Sequence, residues 1–299
     1  MPGIRVTGTV AVVGLGAMGS RIAARLHDAG YATFVWNRDP HAARHLVEMG
    51  ATAVASPSEA AARADTVIVA VADPAALVSV TEGPGGIASG ARSGTQVIVM
   101  STVGPAAIAR LVPALPEGAE VLDAPFLGSL AEADEGRLQI FVSGTDTAVL
   151  RADPLLRTLG HPLRLGDLGV GSAAKLVANY ALLGVLAVLG EAVALGDRLG
   201  VPREKIFDVL AVTPLAEQAE RRRAILDGGQ LAPRFRLALA RKDADLMVAA
   251  TGSPGDRPLP LLHSVRTWLL KAESDGRGDE DYTAMLAAIV SSEGARRAD

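Results

Sequence analysis

Val10-Ala11-Val12-Val13-Gly14-Leu15-Gly16-Ala17-Met18-Gly19-Ser20-Arg21-Ile22-Ala23-Ala24-Arg25-Leu26 is the stretch that decides the fold. An apolar, β-branched run feeds a G-x-G-x-x-G turn, and a helix is predicted directly behind it. Strand, glycine turn and helix in that order mark a dinucleotide-binding βαβ unit. Gly14 permits the tight turn. Gly16 puts no Cβ between the backbone and a pyrophosphate. Gly19 lets the helix lie close to the strand. The helix N-terminus offers free N–H groups and a positive dipole end to phosphates. Leu15, Ala17 and Met18, between the glycines, belong to the same expected cofactor contact. A glycine-rich turn that only packs two elements has the same spelling, so its position in the chain's first βαβ pattern carries the reading.

The second strand, predicted at 32–36, says which nucleotide is expected. NAD-binding folds place an Asp or Glu about 20 residues past the glycines to accept from the ribose 2′-hydroxyl. Here Asn37 holds that place and Arg38 follows. A carboxylate would repel a 2′-phosphate, whereas a guanidinium pairs with it. NADP(H) is therefore expected over NAD(H). Asp39 reads as the N-cap of the next helix with Pro40 at its first position, so its charge is directed at backbone N–H groups. Val71, Ala72 and Asp73, closing a strand at 66–71, are also assigned to the cofactor.

The chain has 299 residues, 49% of them apolar and 21% charged, as in a globular protein of one large or two ordinary domains. Net charge is −4 with both signs interspersed, so no nucleic-acid partner is expected. Arg221-Arg222-Arg223 beside Glu217 and Glu220 reads as a solvated helix face. The absence of cysteine excludes disulfides, thiol nucleophiles and thiolate metal sites and suits the cytoplasm. Met1-Pro2-Gly3-Ile4-Arg5 shows no signal-peptide h-region. The uncharged segment 176–190 is too short for a membrane span and reads as a buried helix. His41 and His45 are four apart, but no third ligand accompanies them, so no metal is expected.

The chain divides near residue 169. Before it, strands predicted at 10–13, 32–36, 66–71, 96–100, 120–123 and 138–143 alternate with helices, which implies a mostly parallel sheet covered on both faces. Ser56-Pro57-Ser58-Glu59 reads as a capping box and Asp73-Pro74 as a second Asp-Pro helix start. After it, strand signals stop. A helix is predicted at about 172–199, followed by helices at 203–211, 215–226, 235–250, 260–274 and 282–296. The expected fold is α/β: an N-terminal Rossmann domain, residues 1–168, and an all-α C-terminal domain, residues 169–299, joined by the long helix.

Lysines are scarce: Lys175, Lys205, Lys242 and Lys271 are the only four. Lys175 opens the long apolar helix, with Ser172 as the expected N-cap, and Asn179 shares its face four residues on. A cation in the first turn opposes the helix dipole, which lowers its pKa and suits it to proton exchange near neutrality. An exposed lysine lying along a packed helix is the alternative reading of the same residue.

Taken together, the motifs resemble the β-hydroxyacid dehydrogenases, which include 3-hydroxyisobutyrate dehydrogenase, tartronate semialdehyde reductase and the glyoxylate/succinic semialdehyde reductases. Gly14-Leu15-Gly16-Ala17-Met18-Gly19 resembles the family's start, and Asp123-Ala124-Pro125-Phe126-Leu127-Gly128-Ser129 its D-A-P-V-S-G-G substrate motif. The segment from Gly169 to Asn179 matches its G-x-G-x-x-x-K-x-x-x-N pattern, Lys242-Asp243 its late Lys-Asp pair, and Ser101-Thr102 with Pro105 its S-T-x-x-P segment. The resemblance implies that Lys175 is the general acid in carbonyl reduction and the base in reverse, with Asn179 orienting it. It places Ser101, Thr102, Leu127, Gly128 and Ser129 at the substrate, Gly128 and Ser129 offering N–H groups to a carboxylate. Thr102 and Lys242 fall beside the cofactor. It further implies a homodimer or homotetramer built through the helical domain.

Four positions depart from the pattern. Leu127 stands where a serine is usual, Phe126 beside it, Ala178 where many relatives have a second asparagine, and Met100 where aspartate is common. The first two change the substrate expected and leave the reaction type intact. Two other readings share parts of the pattern. An imine reductase shares the N-terminal fingerprint and the Trp36-Asn37-Arg38 strand end, but usually lacks a lysine at position 175. A non-catalytic NADP-binding interaction protein would not need Lys175 and Asn179.

Overall fold

The computed structural model describes residues 8–229, 231–251 and 257–291, in two compact units, Met1–Lys175 and Leu176–Asp299. The expected reading of residues 1–5 and the end of the expected 282–296 helix, residues 292–296, lie outside the described residues.

The first unit is built on six parallel strands: β1 Thr9–Val13, β2 Ala32–Trp36, β3 Thr52–Ala53, β4 Thr66–Val69, β5 Gln96–Val99 and β6 Glu120–Asp123, in the order β3-β2-β1-β4-β5-β6. Val67, Val69, Val97 and Val99 are fully buried because helices cover both faces. Burying each such side chain contributes about 1.5–3 kcal/mol. The strand order reverses between β1 and β4, and the carboxyl ends of these neighbours form the crevice at which such sheets bind ligands.

Local signals set the helices around this sheet. Ser56 Oγ accepts from the Glu59 N–H (3.0 Å) and Glu59 returns a carboxylate oxygen to the Ala55 N–H (2.8 Å). Asp73 Oδ1 caps the Pro74–Thr81 helix at the Ala76 N–H (2.7 Å), and Asp39 takes the His41 N–H (3.0 Å).

A second sheet was not expected. β7 Phe126–Leu127 pairs antiparallel with β8 Leu138–Val142, and β8 pairs parallel with β9 Gly160–Arg164. Pro162 and the exposed residues of this edge strand conceal it from a search for apolar alternation. Strands expected at 66–71 and 96–100 stop earlier, at Val69 and Val99. The Val71 N–H leaves the ladder to donate to Ser101 Oγ (2.7 Å).

The second unit is helical. The long helix, Val170–Arg198, crosses the boundary between the units, and Arg203–Leu210, Ala216–Leu226, Leu237–Ala250, Pro260–Ala272 and Ala284–Ser291 follow. Its core gathers Leu183, Leu186 and Leu189 of the long helix with Leu237, Val265 and Met285. The long helix is mostly apolar, and by length and composition alone it would pass as a membrane span. Half of its most apolar window is buried.

Candidate active site

The glycine turn closes over the crevice end of β1. Gly14 has φ +100°, and a Cβ there would stand 2.4 Å from the Ala70 carbonyl oxygen. A Cβ on Gly19 would stand 1.9 Å from the Gly14 carbonyl oxygen. Around Gly16, by contrast, nothing lies within 4 Å of that position, and the residue is exposed. Gly16 begins the helix Ala17–Asp28 with no side-chain cap, and no hydrogen-bond partner meets the N–H groups of Ala17, Met18 and Gly19 among the described residues. An open, uncapped helix N-terminus flanked by two glycines that permit no side chain fits a dinucleotide pyrophosphate.

Asn37 braces this turn. Its Oδ1 accepts from the Leu15 N–H (2.9 Å) and its Nδ2 donates to the Asp39 carbonyl (3.0 Å). Asp39 accepts the His41 N–H, and Arg38 and Asp39 are both exposed at the end of β2.

Residues expected at the substrate occupy different environments. Ser101 is buried, and its hydroxyl accepts from the Val71 N–H and donates to the Val69 carbonyl (3.2 Å), tying the ends of β4 and β5 together. Leu127 is half-buried and Gly128 is exposed with φ +130°. The Ser129 N–H and hydroxyl both donate to Glu132 Oε2, each at 2.8 Å. These bonds hold the Glu132 carboxyl below its ordinary value. The Ser129–Glu132 pair is a capping box that the S-x-x-E spacing could have revealed.

The start of the long helix differs from expectation. The helix begins at Val170, so Ser172 is its third residue and Lys175 lies in the second turn. The reason is long-range. Gly169 adopts φ +94°, and the Ser172 N–H donates to Asp123 Oδ2 (2.6 Å) while Ser172 Oγ donates to Oδ1 (2.8 Å). Ser143 Oγ also donates to Asp123 (3.3 Å) and itself accepts from the Gly171 N–H (2.9 Å). Asp123 is fully buried at the end of β6; burial pushes its carboxyl above the ordinary value, while the bonds from Ser172 and Ser143 act against that shift. The N–H groups at the start of this helix are therefore already engaged.

Within the second unit, Asn179 and Asp243 are buried and joined: Asn179 Nδ2 donates to Asp243 Oδ2 at 2.6 Å. Lys242 Nζ lies 2.6 Å from the other carboxylate oxygen. Asn179 Oδ1 is buried without a hydrogen-bond partner among the described residues. No group of three His, Cys, Asp or Glu among those residues is placed to hold a metal.

Residues 9–171 match the NAD binding domain of 6-phosphogluconate dehydrogenase, and residues 169–289 match the NAD-binding region of NADP-dependent 3-hydroxyisobutyrate dehydrogenase. The chain is 31% identical over 290 residues to 3-sulfolactaldehyde reductase of Escherichia coli strain K12, covering 95% of this chain and 97% of the relative. It is 33% identical over 286 residues to L-threonate dehydrogenase of the same strain, covering 93% of each. Among solved structures, 3-hydroxyisobutyrate dehydrogenase from Salmonella typhimurium superposes with a TM-score of 0.76 at 29% identity, covering 94% of this chain and 99% of that one. An imine reductase from Myxococcus stipitatus shares the fold at 19% identity and a TM-score of 0.66, over 95% of this chain and 100% of that one.

Proposed function

The chain belongs to the β-hydroxyacid dehydrogenase family, NAD(P)-dependent oxidoreductases acting on small hydroxyacids, and we propose that it interconverts a small aldehyde or ketone acid and its alcohol with NADP(H), Lys175 carrying the proton. When bound, the nicotinamide supplies the hydride for reduction and accepts it in reverse. The Lys175 ammonium gives its proton to the carbonyl oxygen as the alcohol forms, and the neutral amine takes it back in the oxidation. The observation that carries this reading is the state of Asn179. Its Nδ2 is fixed on Asp243, so a buried acceptor oxygen is left without a partner four residues beyond Lys175. An acceptor in that position orients an ammonium or a substrate hydroxyl and does not compete for the proton.

Arg38 supports the coenzyme choice: it is an exposed guanidinium directly after Asn37, where a carboxylate would otherwise read the ribose, and a guanidinium suits a 2′-phosphate. Leu127 and Glu132 bear on the substrate. A carboxylate approaching Ser129 must displace the Glu132 carboxylate, and Leu127 offers isobutyl surface in place of a hydroxyl. Both favour a substrate with an apolar flank over a small, highly polar hydroxyacid. Leu127 is also the observation that favours imine reduction as a second reading.

One panel assay following NADPH absorbance tests these points. Turnover of succinic semialdehyde or glyoxylate that is lost in Lys175→Ala supports the proposal. Turnover confined to cyclic imines overturns it in favour of imine reduction.

The same proposal includes a homodimer or homotetramer in the cytoplasm. Val177, Val185, Val188 and Leu195 are exposed along one face of the long helix, and an apolar face of that length is normally covered. A hollow of about 490 Å³ beside them is lined by Leu195, Arg198 and Trp268. Light scattering at a single-chain mass would reject the oligomer.

A further inference from the structure

The buried carboxylate of Asp123 has no part in the chemistry proposed above, yet it sits at the root of the helix that carries Lys175. Its two oxygens receive both the backbone N–H and the hydroxyl of Ser172, at 2.6 and 2.8 Å, three residues before Lys175. Residues three apart on a helix share a face, so Ser172 lies on the Lys175 side of the first turn. The adjoining residue leaves no slack. A Cβ on Gly171 would stand 2.5 Å from the Phe141 carbonyl oxygen and 3.0 Å from that of Asp123. The Gly171 N–H is held by Ser143 Oγ, which in turn donates to Asp123. The Val170 N–H donates to the Asp167 carbonyl (3.1 Å), so the first three N–H groups of the helix all have partners within the first unit.

We propose that Asp123 is a positioning residue for the proton donor: by clamping Ser172 to the ends of β6 and β8, it fixes the rise and rotation of the helix turn from which Lys175 projects. The inference rests on the reading of Lys175 as the proton carrier. Asp123 itself touches neither coenzyme nor substrate in this account. A carboxylate suits the task, because its two oxygens meet the N–H and the hydroxyl of one residue at once and so fix direction as well as distance.

The test compares Asp123→Ala, Asp123→Asn, Ser172→Ala and Lys175→Ala in the full-length protein, using the best-reduced carbonyl of the panel. Measured quantities are kcat, KM, the NADPH dissociation constant and the thermal midpoint. For Asp123→Ala the expected outcome is a fall in kcat of about 10- to 100-fold, the scale associated with displacing a reacting group by about 1 Å. KM and NADPH affinity should stay within about 3-fold of the parent, a shift small beside the tenfold that 1.4 kcal/mol produces. Asp123→Asn, which still meets both Ser172 groups with one acceptor and one donor, should recover most of that kcat. If Asp123→Ala does not fold, Ser172→Ala carries the test with a smaller fall in kcat.

Two results overturn the proposal. One is undiminished kcat in both Asp123→Ala and Ser172→Ala while Lys175→Ala is inactive; the Lys175 reading then survives without its clamp. The other is a parallel loss of kcat, NADPH affinity and thermal midpoint that Asp123→Asn does not restore, which would be a structural role only. Undiminished turnover in Lys175→Ala would instead overturn the Lys175 reading on which the clamp depends.

Discussion

Two helices begin with the same G-x-G spelling, and they end up in opposite chemical states. At Gly14-Leu15-Gly16 the helix start is uncapped, Gly16 is exposed, and Gly14 admits no Cβ. At Gly169-Val170-Gly171 the first three N–H groups of the helix are taken by Asp167, Ser143 and Asp123. Glycine does the same steric work in both places by allowing close approach to a neighbouring carbonyl. What distinguishes them is whether an anion is already present. The first start is open, as in helix N-termini that receive phosphates. The second is closed with an internal carboxylate, and a closed start can aim a side chain.

The comparison breaks most visibly at the side chain that the closed start carries. Lys175→Ala should lower kcat by about 10²- to 10⁴-fold, the usual contribution of a general acid, while NADPH binding followed by fluorescence titration is unchanged. If the same substitution weakened coenzyme binding in proportion, the division of labour between the two starts would be wrong.

The open start is sharpened by Arg38, the residue proposed to select its anion. Arg38→Ala should weaken NADPH binding by about 10- to 100-fold, since a hydrogen bond to a charged group contributes roughly 1.5–3 kcal/mol. NADH binding should be unaffected. Equal losses for both coenzymes would show that Arg38 supports the strand end and does not read the phosphate.

A smaller effect is expected at Ser129, where Glu132 makes a third, local version of the closed start. Glu132→Gln removes the charge that a substrate carboxylate must displace. KM for carboxylate-bearing substrates should fall by about 2- to 5-fold, the range of an exposed ion-pair energy, with no change for neutral carbonyl compounds. An equal change for both classes would remove Glu132 from the specificity argument.

What the sequence disclosed follows the same distinction. The open start is local, and its strand, turn and helix all lie within residues 9–28, so spelling alone revealed it. The Asp-Pro and Ser-Pro helix starts were equally local, with caps two or three residues from the N–H groups they meet. The closed start could not be placed in this way. Ser172 looked like a cap because the true cap, Asp123, is 49 residues away in sequence and becomes its neighbour only when β6 takes its place in the sheet. Ser101 is similar: its hydroxyl reads as available chemistry until β4 and β5 are seen to close around it. Strand β9 was missed because Pro162 and polar neighbours suppress the apolar alternation that marks a strand. Asn179 was legible from its spacing to Lys175, whereas the bond fixing its amide to Asp243 spans 64 residues and was not.

The gentlest probe of the comparison is thermodynamic. Asp123 is buried and burial raises its carboxyl pKa above the unfolded value, so the folded protein favours the protonated form. A group raised in this way stabilises fully below its unfolded pKa, and that contribution is lost as pH rises through the folded pKa. Desolvation thus makes the ionised form of Asp123 less favourable in the fold than in the unfolded chain, even with three donors facing it. Asp123→Asn should then melt no lower than the parent at pH 7–8. As pH falls through the carboxylate range and the parent's Asp123 takes up its proton, the difference between the two thermal midpoints should move toward the parent. A variant that melts lower at every pH would mean that the bonds to Ser172 and Ser143 outweigh desolvation, and that the closed start is maintained for stability. A variant that melts equally or higher near neutrality yet turns over more slowly would separate the two roles, because a charge that the fold does not need would be retained for the helix it holds in place.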